Sequence, residues 1–287
     1  MTVATPETVA VRVPVRSWRS EVRAMKIVWR RDLIRFVGDP TRILAWLIQP
    51  LLFLFVLGTG LQSLSSRSTH GVKLTTFVFP GVLGMVLVYS AMFSAASFVW
   101  DRELGFLREL TVAPVGRSSI LLGKTLGGMT IAASQGVIVL ALAGLVQVPY
   151  RPVLLLGVFG FQVLIAFTIT AFGVMVATTI KQAQTFTNVM QMLVIPMLFL
   201  SGALYPISGL PAWLGVLSKL NPLTYTVDPM RRIVFSHLHI SAAARHTLAP
   251  GVTWWGWHVP VLLEAAMVLV IGITSLGVAV FKFTRTE

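Results

Sequence analysis

The sequence predicts an all-α polytopic membrane protein: six transmembrane helices, an N-terminal interfacial helix, a short cytoplasmic helix after the second span, and a short helix before the last span that dips into or lies on the membrane. Three observations predict it. Hydrophobic residues make up 55% and charged residues 11% of the 287 residues, and the mean hydropathy is +0.82, whereas soluble domains carry about 25% charged residues. Several windows stay apolar over the roughly 20 helical residues that cross a hydrocarbon core of about 30 Å. The remaining charges gather between those windows, as an insertion cost of roughly 2.5–3.5 kcal/mol per charge at the bilayer centre demands.

Residues 1–17 alternate Val, Thr, Pro and Arg without helical period and read as a disordered tail. From Trp18 the pattern changes. Trp18, Val22, Met25, Trp29, Leu33 and Phe36 recur at spacings of three and four, with Arg19, Arg23, Lys26 and Arg30 one position later. An apolar stripe beside a basic one predicts an amphipathic helix over 18–37, lying in the bilayer interface with its cations toward anionic headgroups. The amino terminus does not resemble a cleaved signal, because about 40 polar, basic residues precede the first apolar run.

The membrane domain is expected over 38–287. Gly38-Asp39-Pro40 breaks the chain before a first span at about 43–61, and a Ser-rich loop, 62–73, leads to a second at about 76–100. The third, about 119–146, opens with Gly123 and Gly127, a spacing that permits close helix approach, and Lys124 one turn in is expected to snorkel to the interface. A tight turn at 148–152 leads to the fourth span, about 153–179. The fifth, about 185–204, has Thr185, Thr187, Asn188 and Gln191 in its polar first half and Pro196 as an expected kink. Those polar groups serve either as interhelical hydrogen-bond glue or as lining of a substrate path. Residues 205–258 stay apolar yet contain Pro206, Pro211, Pro222 and Pro229, with a short helix over 210–220 that dips into or lies on the membrane. Trp254, Trp255 and Trp257 read as an interfacial belt before the last span, about 259–281.

Charge placement sets the expected orientation. Nine of the 23 Lys and Arg lie in 1–42, and with those at 102–124, Lys181 and the carboxyl terminus one side holds sixteen against seven. The positive-inside bias then puts both termini and the stretch 101–117 in the cytoplasm of a multi-pass plasma-membrane protein. The net charge of +13 is accounted for by lipid-facing flanks, so no nucleic-acid partner is expected. With no cysteine, thiolate metal sites and disulfides are excluded.

The motifs with chemical potential are few. Gly123-Lys124-Thr125 ends like a phosphate loop, but Ser118 stands where the first glycine belongs and the context is a span. His237, His239 and His246 lie in a loop without nearby carboxylates, so no metal site is expected. Glu264, one turn into the last span, either faces a cavity that takes a cationic substrate or reaches the headgroups. No nucleophile-base arrangement or paired carboxylates occur at membrane depth, so the chain is not expected to be an enzyme.

The central stretch is 101–117, DRELGFLRELTVAPVGR, with three acids and three bases between apolar runs. Leu104, Phe106, Leu107 and Leu110 among those charges offer an apolar anchor inside a charged rim, which suits a protein groove. Val99 to Gly128 and Leu200 to Arg232 resemble the two signature regions of type-2 ABC-transporter permeases, of the daunorubicin/doxorubicin-resistance type. The resemblance covers the chain from about Arg30. It implies an exporter half that pairs with a second permease chain, identical or not, and with separate ATPase subunits that bind ATP and magnesium while this chain binds no cofactor. It further implies a coupling helix gripped by the ATPase, with Asp101, Arg102, Glu103, Gly105, Phe106, Arg108 and Glu109 as its contact face and Pro114 and Arg117 at its exit. Pro206, Pro211, Asn221, Pro222 and Tyr225 would belong to the re-entrant extracellular gate, and Thr187, Asn188, Gln191 and Glu264 to a possible substrate path. The expected function is ATP-driven export of a hydrophobic or amphipathic substrate, an antibiotic or other drug or a lipid-like molecule. The alternative is an ion-coupled secondary transporter acting without an ATPase, which would favour internal repeats that the sequence does not display.

Overall fold

A computed structural model describes residues 17–60, 72–105, 116–205, 210–254 and 256–286. The expected tail before Ser17, most of the loop after the first span, Phe106, Arg108, Glu109, Pro114, Pro206 and Trp255 lie outside the described residues. Helix α1 (Trp18–Val37) is followed by α2 (Pro40–Leu52), which runs through one π turn (Phe53–Leu57) into Gly58–Gly60. The long α3 (Leu74–Glu103), α4 (Arg117–Leu140), α5 (Pro152–Ala177) and α6 (Ala183–Leu200) come next. Shorter helices α7 (Ala212–Leu220), α8 (Thr224–Ser236) and α9 (Ala242–Leu248) precede a two-residue hairpin, β1 (Thr253–Trp254) and β2 (Trp257–His258), and the chain closes with α10 (Val261–Thr286). The hairpin stands where the aromatic belt was expected: Trp254 turns inward and donates its indole N–H to the Tyr225 hydroxyl at 3.0 Å, while Trp257 remains exposed.

Helix α3 is the hub. Within its apolar window 83% of residues are buried, against 22% in α10 and 28% in α6. Helices α4 and α5 flank it and each other, α10 packs on α5, and α6 lies along α3. Small side chains make this possible: Ser90, Ala91, Ala95 and Ala96 are buried on α3. A Cβ on Gly81 would fall 2.3 Å from the carbonyl oxygen of Ala203, so the chain leaving α6 rests directly on the α3 backbone. Helices α2, α6 and α10 carry their exposed large apolar residues outward, among them Leu44, Ile48, Met192, Ile195, Leu262 and Ile273.

The observed boundaries correct several expected ones. Five described helices are long and apolar enough to cross a membrane: Ile43–Gly60, Leu74–Glu103, Pro152–Ala177, Ala183–Leu200 and Val261–Arg285. Helix α4, expected as the third span over 119–146, has 24 residues but is not among them. Its first half holds Arg117, Ser118, Ser119, Lys124 and Thr125, and after Leu140 the chain continues as a 3-10 turn, Ala143–Val146. Helix α3 runs one turn past the expected end and takes in Asp101, Arg102 and Glu103. Helix α10 likewise extends through Lys282 and Arg285 rather than ending at Phe281.

Helix α1 differs most from expectation. It lies parallel to the first half of α4. The side it turns to the protein centres on Glu21, Met25, Val28 and Asp32 and takes in Met25 and Trp29 of the expected apolar stripe, whereas Trp18 at the head of that stripe is 82% exposed. The expected basic stripe, Arg19, Arg23, Lys26 and Arg30, does face outward. Gly123 and Gly127 form the seat. A Cβ on Gly123 would stand 2.8 Å from the Met25 carbonyl oxygen and 2.9 Å from Val28 Cβ, and one on Gly127 would stand 3.2 Å from Asp32 Cβ.

Gly123→Leu is therefore expected to lift α1 from α4, costing about 1–3 kcal/mol by overpacking and exposing α1 to protease in detergent micelles. Gly277→Leu, whose Cβ meets nothing within 4 Å, is expected to leave both the melting temperature and the cleavage pattern unchanged. Equal behaviour of the two variants would remove the seat from the fold.

Candidate functional site

The segment between α3 and α4 enters and leaves through stems that are bonded to four other helices, α5, α6, α1 and α10. On the entering side, Arg102 donates to the carbonyl oxygens of Ala177 and Ile180 at the end of α5, both at 3.3 Å, and stacks over Phe98. Glu103 accepts the N–H of Ala183 at 2.8 Å, so its carboxylate caps the exposed donors at the start of α6. Gly105 holds φ +77°, a left-handed turn that glycine adopts without a Cβ clash, and carries the chain away from the helix. On the leaving side, the Glu21 carboxylate of α1 accepts the Gly116 N–H at 2.9 Å and the Ser119 hydroxyl at 2.5 Å, capping α4. Arg117 donates to the carbonyl oxygens of Phe283 and Thr284 near the end of α10, at 3.4 and 3.5 Å.

Asp101, expected on the outward contact face, is instead buried. Its side chain accepts from Arg31 at 2.5 Å, Lys124 at 2.7 Å and Arg35 at 3.3 Å. Lys124 also reaches Asp32 and the Ser97 hydroxyl, at 3.1 and 3.0 Å. It does not snorkel: it is 3% exposed and is held in mid-helix by two carboxylates, one from α1 and one from α3. Unpaired, any of these charges would lose several kcal/mol of hydration with nothing to replace it. Paired, they join three helices at a point where none can shift without separating charges.

On the opposite side of the bundle a second polar cluster forms around α8. Arg231, buried at 3% exposure, donates to the carbonyl oxygens of Gly202 and Ala203 at 2.7 and 3.1 Å and lies over the Phe77 ring at 4.2 Å. Burial lowers its guanidinium to about 10, with Asp228 opposing the shift, so it stays cationic at neutral pH. Arg232 pairs with Asp228 at 2.9 Å, with Glu264 of α10, and with the Val259 carbonyl oxygen. Among the expected gate residues, Asn221 donates to the Met197 carbonyl oxygen at 2.6 Å and accepts the Leu223 N–H. Tyr225 donates to the Lys219 carbonyl oxygen at 2.6 Å, Pro211 precedes α7, and Pro222 lies in the turn to α8. The structure thus gathers Pro211, Asn221, Pro222 and Tyr225 into one stapled corner over the end of α6.

The residues expected on a substrate path separate. Thr187 and Gln191 border a cavity of about 50 Å³ between α3 and α6, whose other walls include Tyr89, Phe93, Phe186 and Met190. Tyr89 also lines a second cavity of about 210 Å³ toward the α8 side, between α2, α3 and α6. Asn188 faces away and accepts from Gln184. Glu264 lies apart from these three: it is fully buried in the pair with Arg232, and it is not the lone carboxylate that the sequence suggests. Among the described residues no three metal-ligating side chains converge, and the His237 ring nitrogen meets the Ile233 carbonyl oxygen at 2.9 Å.

Sequence reasoning missed Glu21, Arg31, Asp32 and Arg35 at the inner cluster and Asp228, Arg231 and Arg232 at the outer one. A usable signal was present in α1. Glu21 and Asp32 are the acids of 18–37, eleven residues apart and therefore on one helix face. A face marked by acids points to cationic protein partners rather than to anionic headgroups. Lys124→Met is expected to lower stability by about 3–5 kcal/mol, because it leaves buried carboxylates without their shared cation. Adding Asp101→Asn should recover part of that loss in thermal unfolding of the micelle-embedded chain; strict additivity of the two losses would show that the pair is not coupled.

This geometry has known relatives. The profile of the ABC-2 type transporter family matches residues 23–235, which takes in α1 from Arg23 onward, the α3–α6 cavity and α8 through Phe235, but neither Glu21 nor α10. The chain is 30% identical over 220 residues to the transport permease ycf38 of Cyanophora paradoxa, covering 75% of each protein. It is 30% identical over 215 residues to Nodulation protein J of Rhizobium leguminosarum bv. trifolii, covering 73% of this chain and 80% of that one. It is 29% identical over 160 residues to the multidrug ABC transporter permease YbhR of Escherichia coli K12, covering 55% of this chain but 43% of that protein. A helical membrane protein whose matched region runs from the buried face of α1 to the end of α8 belongs to the ABC-2 type transporter family, as the membrane subunit of an ABC transport system.

Proposed function

We propose that the chain is one membrane half of an ATP-driven exporter in the plasma membrane. Helix α4 serves as the sixth span, and both termini and the 104–115 segment face the cytoplasm. A separate ATPase, which carries the ATP and magnesium, grips that segment, and a second permease chain completes the pathway. The observation that carries this reading is the double-stemmed anchorage. Arg102, Glu103, Glu21 and Arg117 tie the residues on either side of 106–115 to α5, α6, α1 and α10. A displacement of that segment by a partner therefore reaches the whole bundle rather than one helix. This chain performs no covalent chemistry; its work is to change which side a bound molecule can leave by.

The cargo follows from what the bundle leaves open. The charges of the inner and outer clusters are spent on one another, while the cavities between α2, α3 and α6 are walled by Phe, Met and Tyr with Thr187 and Gln191 as polar points. That lining suits a hydrophobic or amphipathic molecule, a drug or a lipid-like compound, and disfavours an ionic one. The description of the YbhR relative as a multidrug permease supports the same class.

Two outcomes are expected once the chain is co-reconstituted with its ATPase in liposomes. Phe106→Ala should leave insertion and assembly intact but reduce coupled efflux by about tenfold, the loss expected when a buried aromatic anchor worth roughly 1–2 kcal/mol is removed from an interface. Glu103→Arg is a poorer probe, since it also uncaps α6. Gln191→Phe should narrow the cavity and slow efflux of an apolar dye, whereas Asn188→Ala should not. Transport by the purified chain under an ion gradient with no ATPase present would overturn the reading.

A further inference from the structure

Beside the inner cluster, a small recess opens between α1, α2, α3 and α4. It is bordered by Asp32, Arg35 and Phe36 at the end of α1, Trp46 of α2, and Ser94 and Ser97 of α3. We propose that this recess seats the phosphate of an anionic phospholipid drawn from the leaflet on the α1 side, with Arg35 as its cation and Phe36 and Trp46 as its walls.

Charge compensation carries the argument. Asp101 is already engaged by Arg31 at 2.5 Å and Lys124 at 2.7 Å, and Arg35 reaches it more loosely, at 3.3 Å through Nη1. The Arg35 side chain is 50% exposed against 22% and 2% for the other two, so it is the cation least neutralised by the shared carboxylate. A guanidinium presents five N–H donors in a planar fork that matches phosphate oxygens. The carboxylate in the wall does not compete for a cationic ligand, because Asp32 is bound to Lys124 at 3.1 Å and to Arg31 at 3.2 Å. Ser94 adds a hydroxyl at the same edge, and Ser97 already accepts from Lys124.

Depth and shape favour a lipid over a free anion. Ser94 and Ser97 precede the end of α3 by nine and six residues, or roughly 9–14 Å at 1.5 Å per residue, which is the depth of the headgroup and glycerol layer. Trp46 and Phe36 are the residue types that settle at that level, and Trp46 is fixed there by Phe93, with ring centroids 4.0 Å apart. The recess lies beside the Gly38-Asp39-Pro40 corner, where α1 turns into α2. A lipid held there would brace the corner between the helix that carries the cluster and the first span.

Native mass spectrometry of the full-length chain, released from micelles doped with phosphatidylglycerol, phosphatidylcholine or inorganic phosphate, tests this without any ATPase. One phosphatidylglycerol should remain bound per chain, and Arg35→Gln should lower its retention by about tenfold, the scale of a lost charge-assisted bond. Arg35→Lys should fall between. Trp46→Ala, which leaves the ion cluster intact, should weaken retention in the same direction and decides the matter if Arg35→Gln does not fold. The double variant Arg19→Gln/Arg23→Gln should retain the lipid as the natural chain does. Equal retention by Arg35→Gln and the natural chain, equal loss from the double variant, equal binding of phosphatidylcholine, or displacement by phosphate alone would each overturn the proposal.

Discussion

A charge inside a low-dielectric bundle must find an opposite charge, and much of this molecule follows from how Lys124 meets that requirement. It lies about two turns into α4 and is 3% exposed, so Asp101 is drawn in from the end of α3 and Asp32 from α1. Satisfying one ammonium thereby fixes the length of α3, the rotation of α1, and the use of Gly123 and Gly127 as a seat. Had α1 presented its apolar stripe to α4 instead, Asp101 and Lys124 would still pair, but Asp32 would lose Lys124 and Asp101 would lose Arg31 and Arg35.

The same requirement operates at the other side of the bundle through different helices. Arg231 and Arg232, adjacent on α8, turn to opposite neighbours: one holds the backbone after α6, the other holds the start of α10. The bundle thus has a charged tie near each end and, among the described residues, uncharged buried polar groups such as Ser90, Gln135 and Gln162 between them, with α3 running through all three zones. Ties of this sort add little net stability over an apolar core. Their effect is to make particular arrangements of helices distinct from others, which a transporter that alternates between states requires.

What remains unspent after these ties is apolar and lies along α2, α3 and α6. The proposed exporter would use that remainder for its cargo, since a subunit driven by a separate ATPase needs no titratable path of its own. The 104–115 segment is where the energy would enter. Its stems are held by a carboxylate cap, a guanidinium on helix-end carbonyls, and a second cap from α1. Such contacts are directional, and a directional contact transmits displacement better than greasy packing does.

The linear chain by itself determined the membrane class, the helical architecture and the family resemblance. Each of these depends on local composition and on spacing along one helix, which a single segment displays alone. The G-x-x-x-G seat was legible for the same reason, though not its occupant. Tertiary structure decided the partners of charge. Nothing local distinguishes Lys124 snorkelling to an interface from Lys124 held by two acids, or Glu264 facing a cavity from Glu264 paired with Arg232. Residues 32, 101 and 124 become neighbours only after three helices pack, and pairing energy depends on distance in space rather than along the chain.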